Sequence, residues 1–292
     1  MDLAQLQALA AAVDGGSFDA AARALHVTPS AISQRIRALE NSVGSVLLAR
    51  SKPIAPTTAG APYVRLARQI DALAADAAIE AAVQSELPLP RIPIAINGDS
   101  LATWVMPALA ELADEMTFDI HREDQDHSAE LLRDGTVMAA ITTEVRPVQG
   151  CTSTRLGTMR YRPMAAPAFA DRWLPDGVDA RALATAPVVV FDRKDDIQDR
   201  YLRRFATDLT PPRHYVPVSA DFAEAVRLGF GWAMLPDQQS LALEARGELV
   251  ELDAAHHDRV VLHWQQWSLH TTALDRVADA IARAAAGSLT QS

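Results

Sequence analysis

One cysteine, Cys151, stands in a chain of 292 residues, so no internal disulfide can form and a reducing cytosol is the expected setting. No apolar run approaches the ~18 residues that a membrane span needs. The opening "MDLAQLQALA" lacks a basic stretch and carries Asp2, which makes it a poor export signal. A cytoplasmic location is therefore expected. Nucleotide and hydrolase signatures are missing too. "GFG" at 229–231 is no dinucleotide fingerprint, no phosphate-loop pattern occurs, and no "GxSxG" elbow is present. His121 with His127, and His256 with His257, lack zinc-ligand spacing with partners. No metal, cofactor or catalytic set is expected and an enzyme is disfavoured, although composition alone leaves a Ser-His-Asp set open. Internal repeats are absent, and the only compositional bias is an Ala-rich stretch after residue 58.

What remains is a polar but ordinary globular composition, 49% hydrophobic and 22% charged, on a chain long enough for two or three compact units. The net charge of −10 argues at first against a nucleic-acid partner, but its distribution reverses that argument. Residues 1–60 hold five basic groups and four acids; residues 91–292 hold 20 bases and 29 acids. A locally basic head thus precedes a large acidic body.

The head reads as three helices. Leu3, Leu6, Ala10 and Val13 form the stripe of the first. "DGG" breaks the chain, and Ser17 can cap a second helix that turns Phe18, Ala21, Ala22 and Leu25 inward. Thr28 is a good N-cap and Pro29 suits the first helical position of a third, which runs to about Val43. There Ile32, Ile36, Leu39 and Val43 share one sector, Ser30, Gln34 and Arg37 project opposite, and Ser33 and Arg35 flank them. Serine, amide and guanidinium side chains pair with base edges and phosphates, so this face suits a major groove. A solvated amphipathic helix has the same pattern, and this helix alone does not separate the two.

"GSVLLARSKPIAPTTAG" then offers a short apolar strand, the basic Arg50 and Lys52, and a Pro-rich return to Thr57 and Thr58. That is the pattern of a wing whose tip lies on phosphates. A long helix over 58–86 follows, capped by Thr57 or Thr58. Tyr63, Leu66, Ile70, Leu73 and Ala77 keep coiled-coil spacing until Glu80 breaks it. Packing of that stripe on its own domain is the alternative. "LPLPR" at 87–91 is a stiff break, and beyond it strands alternate with helices in the manner of a mostly parallel sheet, or two. The strands expected are "IPIAI", "TFDIH", "VMAAITT", "YRPMAA", "PVVVF", "HYVPVS" and "GWAMLP"; helices include "SLATWVMPALAELADEM", "SAELLRDG", "SADFAEAVRLG" and the final "TTALDRVADAIARAAAG".

The run "GSFDAAARALHVTPSAISQRIRALENSVGSVLLAR" resembles the winged helix-turn-helix of LysR-type transcriptional regulators. It has the family's Ser-Phe, Ala-Ala, Ala-Ile-Ser, Ile-Arg-x-Leu-Glu and later Leu-x-x-Arg. "NGDSLATW", "PVVVFDRKDD" and "HW" at 263 are similar to the lysine- and arginine-responsive LysG/ArgP branch. One departure is Pro29-Ser30, where many members have Gln-Pro, so a base contact by that glutamine is not carried over. The resemblance spans essentially the whole chain and implies an α/β protein with an all-helical winged head. The expected domains are a DNA-binding head at 1–60, a dimerising linker helix at 58–87 and a two-lobed effector domain at 91–292, like a periplasmic binding protein. Lobe one would comprise about 91–161 and 268–292, and lobe two about 162–267. It also implies a homodimer assembling to a tetramer on roughly two-fold symmetric double-stranded DNA, with RNA polymerase as a further partner and no membrane. Thr28, Ser30, Ser33, Gln34, Arg35, Arg37, Arg50, Lys52 and Thr57 are the expected DNA contacts.

Ligands of open α/β lobes sit beyond strand ends beside helix N-termini. "AINGDSLATW" is such a turn, with Ser100 the expected N-cap, N–H groups for a carboxylate, and Trp104 as a wall. A plain cap and a core tryptophan are the bland readings. Thr142, Thr143 and Glu144 end the third strand. "FDRKDD" sets Asp192, Asp195 and Asp196 beyond another, and Asp221 and Glu224 open the next helix. Such charge runs are commonly solvated surface. An ammonium or guanidinium removed from water nevertheless needs a carboxylate. A basic amino acid (lysine, arginine or histidine) is therefore the expected effector, its cation on Glu144, Asp192 or Asp196 and Asp221 held in reserve. Expected target genes serve amino-acid export or metabolism. An organic-acid effector, or an effector-independent DNA binder, are the alternatives.

Overall fold

The computed structural model describes residues 1–49, 51–81, 89–122 and 128–291. Three helices open the chain: α1 (Leu3–Asp14), α2 (Phe18–Ala24) and α3 (Pro29–Val43). Their starts are set by local chemistry, at Ser17 and Thr28 as the sequence predicts and at Asp2 in addition. Asp2 and Gln5 form a reciprocal capping box, Ser17 Oγ accepts the Ala20 N–H, and Thr28 Oγ1 accepts the Ala31 N–H at 3.2 Å before Pro29. Gly44, with φ +75°, ends α3 in the left-handed conformation that a side chain would strain. Ile32, Ile36 and Leu39 are buried with Leu6, Leu9 and Ala21, each large side chain worth about 1.5–3 kcal/mol of burial. Leu3 departs from the expected stripe and is exposed.

The wing is β1 (Leu48–Ala49) paired antiparallel with β2 (Ala55–Pro56), followed by α4 (Ala61–Ala81). Gly60 lets the two meet: a Cβ there would stand 1.9 Å from the Leu47 carbonyl oxygen. Thr57 Oγ1 donates to the Val46 carbonyl at 2.7 Å and accepts the Gly60 N–H at 3.0 Å. Along α4, Tyr63, Leu66 and Ile70 pack against the head's own core, beside fully buried Val64 and Ala67. These seam positions are thus already partnered within the chain, whereas Leu73 is 45% exposed. The expected linker residues 82–87, and the Glu80 side chain, lie outside the described residues.

Further along come β3 (Arg91–Ile96), α5 (Gly98–Ser100), a wide turn of helix at Leu101–Val105, α6 (Met106–Ala110), β4 (Thr117–Arg122), α7 (Ser128–Asp134) and β5 (Ala139–Thr142). The expected single helix over 100–116 is therefore one that widens before Pro107, whose missing N–H leaves a carbonyl unbonded one turn earlier. Next are β6 (Cys151–Ala165), α8 (Pro167–Trp173), α9 (Ala180–Thr185), β7 (Val188–Val190), α10 (Ile197–Leu202), β8 (Arg213–Tyr215), α11 (Ser219–Arg227), β9 (Ala233–Pro236), α12 (Asp237–Ala245), β10 (Val250–Glu251), β11 (Asp258–Trp267) and α13 (Thr272–Ser288). Sequence periodicity misses α8, α9, α10, α12 and β11.

Two compact units result. The first holds 1–96, 112–153 and 264–278; the second holds 97–111, 154–263 and 279–292. These divisions differ from the expected lobes, and α13 contributes to both units. In the first unit β3 lies between β4 and β5, parallel to both, with the end of β11, from Trp264, beyond β5. In the second, β9 and β10 pair antiparallel with β6, while β7 and β8 form a separate parallel pair. Pairing is thus parallel for β3, β4 and β5 and for β7 with β8, as expected, whereas β6 takes antiparallel partners. This strand of 15 residues is followed in the chain by both of them. Arg162, buried on β6, draws Asp237, Glu244 and Glu251 to 2.9, 2.7 and 3.0 Å, fastening α12 and β10 to that strand. Among the described residues no helix is long and apolar enough to cross a membrane.

Candidate nucleic-acid interface and effector site

Burial of Ile32, Ile36 and Leu39 fixes the rotation of α3, and the opposite face is therefore open. Ser30, Gln34 and Arg37 are exposed there, with Ser33 and Arg35 half-buried at its edges, as the sequence predicts. Glu40, the one acid of this helix, is turned away from that face: its Oε1 accepts the Leu47 N–H at 2.8 Å. Lys52 is exposed at the tip of the wing. Thr28 and Thr57 spend their hydroxyls as helix caps, and Thr57 also spends its own on the wing carbonyl. Arg50 lies outside the described residues. An open face of serine, amide and guanidinium can read base edges, and an exposed lysine on a hairpin can hold a phosphate.

In the second unit the turn around Ser100 differs in detail from the expectation. Ser100 is not the N-cap. The helix starts at Gly98, with Asn97 in the cap position, because the Leu101 N–H already bonds to the Asn97 carbonyl. That shift by one turn leaves Asp99 as the acid of "NGDS" that meets side chains from elsewhere in the unit. Its Oδ1 accepts the Ser219 hydroxyl at 2.6 Å and its Oδ2 accepts the Tyr161 hydroxyl at 2.7 Å. Gln239 Nε2 donates to Ser219 Oγ at 2.8 Å and so orients it. Burial foremost, and then the Asp99 charge, raise the Tyr161 hydroxyl well above its ordinary pKa, so it remains a donor. Beside Asp99, the Ser100 hydroxyl and the Asn97 side-chain oxygen are buried without a partner among the described residues.

Asp195 is the second acid. Its Oδ1 accepts the Ile197 N–H at 3.1 Å and its Oδ2 the Phe191 N–H at 3.2 Å. Burial raises its pKa, the two N–H donors oppose this, and the charges of Asp99 and then Asp192 raise it further. Two interacting carboxylates thus occur in one unit, Asp99 fixed by two hydroxyls. Each retains lone pairs, and together they favour a cation.

The acids chosen from sequence fare differently. Asp192 folds back on its own loop, Oδ1 accepting the Lys194 and Asp195 N–H groups at 2.7 and 3.0 Å. Asp196 is exposed and paired with Arg200 and, at 3.8 Å, Arg203. Asp221 is exposed on α11. Glu224, also exposed, pairs with Arg227 at 2.6 Å. Trp104 is buried against a cavity of about 410 Å³ walled by Pro107, Gln238 and α13, in whose lining Asp99 and Ser100 take no part. Thr142, Thr143 and Glu144 belong to the first unit. Thr142 Oγ1 accepts the Glu144 N–H at 3.1 Å, Glu144 is exposed, and buried Gln265 holds their loop through the Glu144 and Arg146 carbonyls. Asp99, Tyr161, Ser219 and Gln239 escaped sequence reasoning. Only Asp99 had a local signal, as the acid beside Ser100.

The chain matches the model of the bacterial regulatory helix-turn-helix protein, lysR family, over residues 3–61, and that of the LysR substrate binding domain over residues 85–286. It is 46% identical over 288 residues to the HTH-type transcriptional regulator LysG of Mycobacterium tuberculosis, covering 98% of this chain and 94% of that protein. The crystal structure of ArgP from Mycobacterium tuberculosis superposes with a TM-score of 0.92 at 45% identity, covering 100% of both chains. Full-length LysG from Corynebacterium glutamicum with bound effector Arg superposes with a TM-score of 0.84 at 37% identity, covering 99% of this chain and 100% of that one. With two family models spanning head and body and this identity along nearly its full length, the chain belongs to the LysR family of bacterial helix-turn-helix transcriptional regulators.

Proposed function

We propose that this protein is a cytoplasmic, non-enzymatic regulator that binds two-fold symmetric DNA and responds to a basic amino acid, lysine or arginine foremost. Its effector has a cationic group on Asp99 and Asp195 and a carboxylate within reach of the Ser100 hydroxyl. The observation that carries this reading is the double acceptance by Asp99 from Ser219 and Tyr161, beside Asp195. An organic-acid effector would meet two carboxylates there and be repelled. The relative with bound Arg supports the same choice.

The reading places the DNA head at 1–60, the linker at 58–87 and the effector domain at 91–292. The family-model ranges support the first and last of these. Dimers form through α4 and assemble to tetramers, RNA polymerase is the downstream partner, and the target genes serve amino-acid export or metabolism.

Isothermal titration of the full-length protein with lysine, arginine, histidine and norleucine tests it. Lysine or arginine should bind and norleucine should not. Norleucine binding as tightly as lysine removes the acid-pair mechanism, and no binding by any of the four returns the organic-acid alternative.

A further inference from the structure

Within the first unit, α4 meets different partners on two of its sides. Tyr63, Leu66 and Ile70 press on the head's core. Arg65 and Asp76 stand eleven residues apart, about three turns, and so share another side of the helix. Each meets a backbone group from far along the chain. Arg65 Nη1 donates to the Gln149 carbonyl at 2.9 Å, and Asp76 Oδ1 accepts the Thr272 N–H at 2.9 Å. Gly135, with φ +79°, permits the close approach at Arg65, since a Cβ there would stand 2.7 Å from the Arg65 Cα. At the other end Thr271 Oγ1 accepts the Leu274 N–H at 3.3 Å, and Asp76 takes the Thr272 N–H that this cap leaves over.

Between these anchors the helix borders a void. From Arg68 to Asp76 it lines a cavity of about 550 Å³, with Ala72 and Ala75 on one wall and Ile92, Pro93 and Met138 on the other. Close-packed interiors leave few gaps larger than a water molecule, so this side of α4 is held at its ends rather than along its length. Opening such a contact breaks two hydrogen bonds and little packing, which places it at the low-stability end of local unfolding.

Both anchors sit on segments that continue into the second unit. Gln149 shortly precedes β6, which enters that unit at residue 154, and Thr272 opens α13, which enters it at residue 279. Gln265 lies beside a further crossing, at residue 264. It holds the Gln149 loop by accepting the Val148 N–H at 3.0 Å and donating to the Glu144 and Arg146 carbonyls.

We propose that Arg65 and Asp76 form a two-point latch, fastening the linker helix and the head packed on it to the segments that run into the second unit. The latch opens and closes as one element, so a change in those segments reaches the DNA-binding head. Only the arginine arm of its test rests on the basic-amino-acid reading.

Hydrogen exchange read by mass spectrometry tests it on the full-length parent, Arg65→Met and Asp76→Ala, each checked for unchanged helix content by circular dichroism. Loss of one anchor should loosen the other. Asp76→Ala should speed exchange at least threefold in the 146–150 loop, and Arg65→Met should do so at the start of α13. Changes confined to the segment that each side chain touches overturn the latch. L-arginine at millimolar concentration, its binding followed separately by calorimetry, should shift the exchange of both segments together. A shift in one alone, or in neither while arginine binds, overturns the coupling. Arginine that does not bind, with both cross-effects intact, refutes the effector reading and leaves the latch supported.

Discussion

Asp99 accepts the Ser219 hydroxyl at 2.6 Å across 120 residues of chain, joining the start of one helix to the start of α11. With the Tyr161 hydroxyl on its other oxygen, the carboxylate is held in one orientation before any ligand arrives. Preorganisation of this kind lowers the ordering cost of binding.

Asp99→Asn should keep one hydroxyl bond through its amide oxygen and reverse the other, the amide N–H donating to that hydroxyl oxygen. It should cost binding of lysine or arginine about 3–5 kcal/mol, roughly a hundredfold to several thousandfold in Kd. Calorimetry beside a circular dichroism melt checks it: unchanged affinity in a folded variant refutes the role of Asp99.

Asp195 supplies a pH dependence. Burial and the neighbouring acids raise its pKa, so the folded state favours its protonated form. Its contribution to stability is therefore full below the ordinary value of 3.8 and lost as pH rises through the raised one. A cationic effector needs the ionised form, so affinity should weaken as pH falls from about 7 towards about 4, the carboxylate range. Titrations in buffers of different ionisation enthalpy should show proton release within that window. Asp195→Asn should bind weakly at every pH, without the slope, and a slope that survives this substitution assigns the proton elsewhere.

On DNA, the open face of α3 and the wing separate by function. Gln34→Ala should relax sequence preference by about 1–3 kcal/mol at one base pair. Lys52→Ala should weaken binding to all sequences alike and lower the salt slope by about 1. Fluorescence anisotropy against specific and scrambled duplexes at several salt concentrations separates these outcomes.

Dimerisation is best tested at Leu73. Leu66 and Ile70 pack on the head's own core, so a charge at either should destabilise the head as well as any dimer. Leu73 is exposed and leaves that core alone. Leu73→Glu should yield a folded monomer by sedimentation at micromolar concentration, with an unchanged melting temperature for the head. A persistent dimer would move the interface away from α4.

What depends on near neighbours is legible in the order of residues. Thr28 and Pro29 start α3 because cap and proline act within one turn, and the Ile32, Ile36 and Leu39 spacing then leaves Gln34 and Arg37 outward whatever surrounds the head. The Pro-rich return after Lys52 closes the wing for the same local reason. Between adjacent candidates in the body, the choice rests on contacts from distant parts of the chain. Asp99 rather than a Ser100 cap emerged because the helix starts at Gly98, and because Tyr161 and Ser219 reach it from 62 and 120 residues away. Asp195 turned inward while Asp196 met Arg200 at the surface. In "FDRKDD" every acid is chemically equal, and a difference of one residue in a loop carries no periodicity to break the tie. The seam of α4 shows the same limit: its spacing promised an apolar partner, and the fold brought the head's own core to Tyr63, Leu66 and Ile70. An apolar stripe specifies that it will be covered, but the covering surface is fixed by contacts that no local pattern encodes.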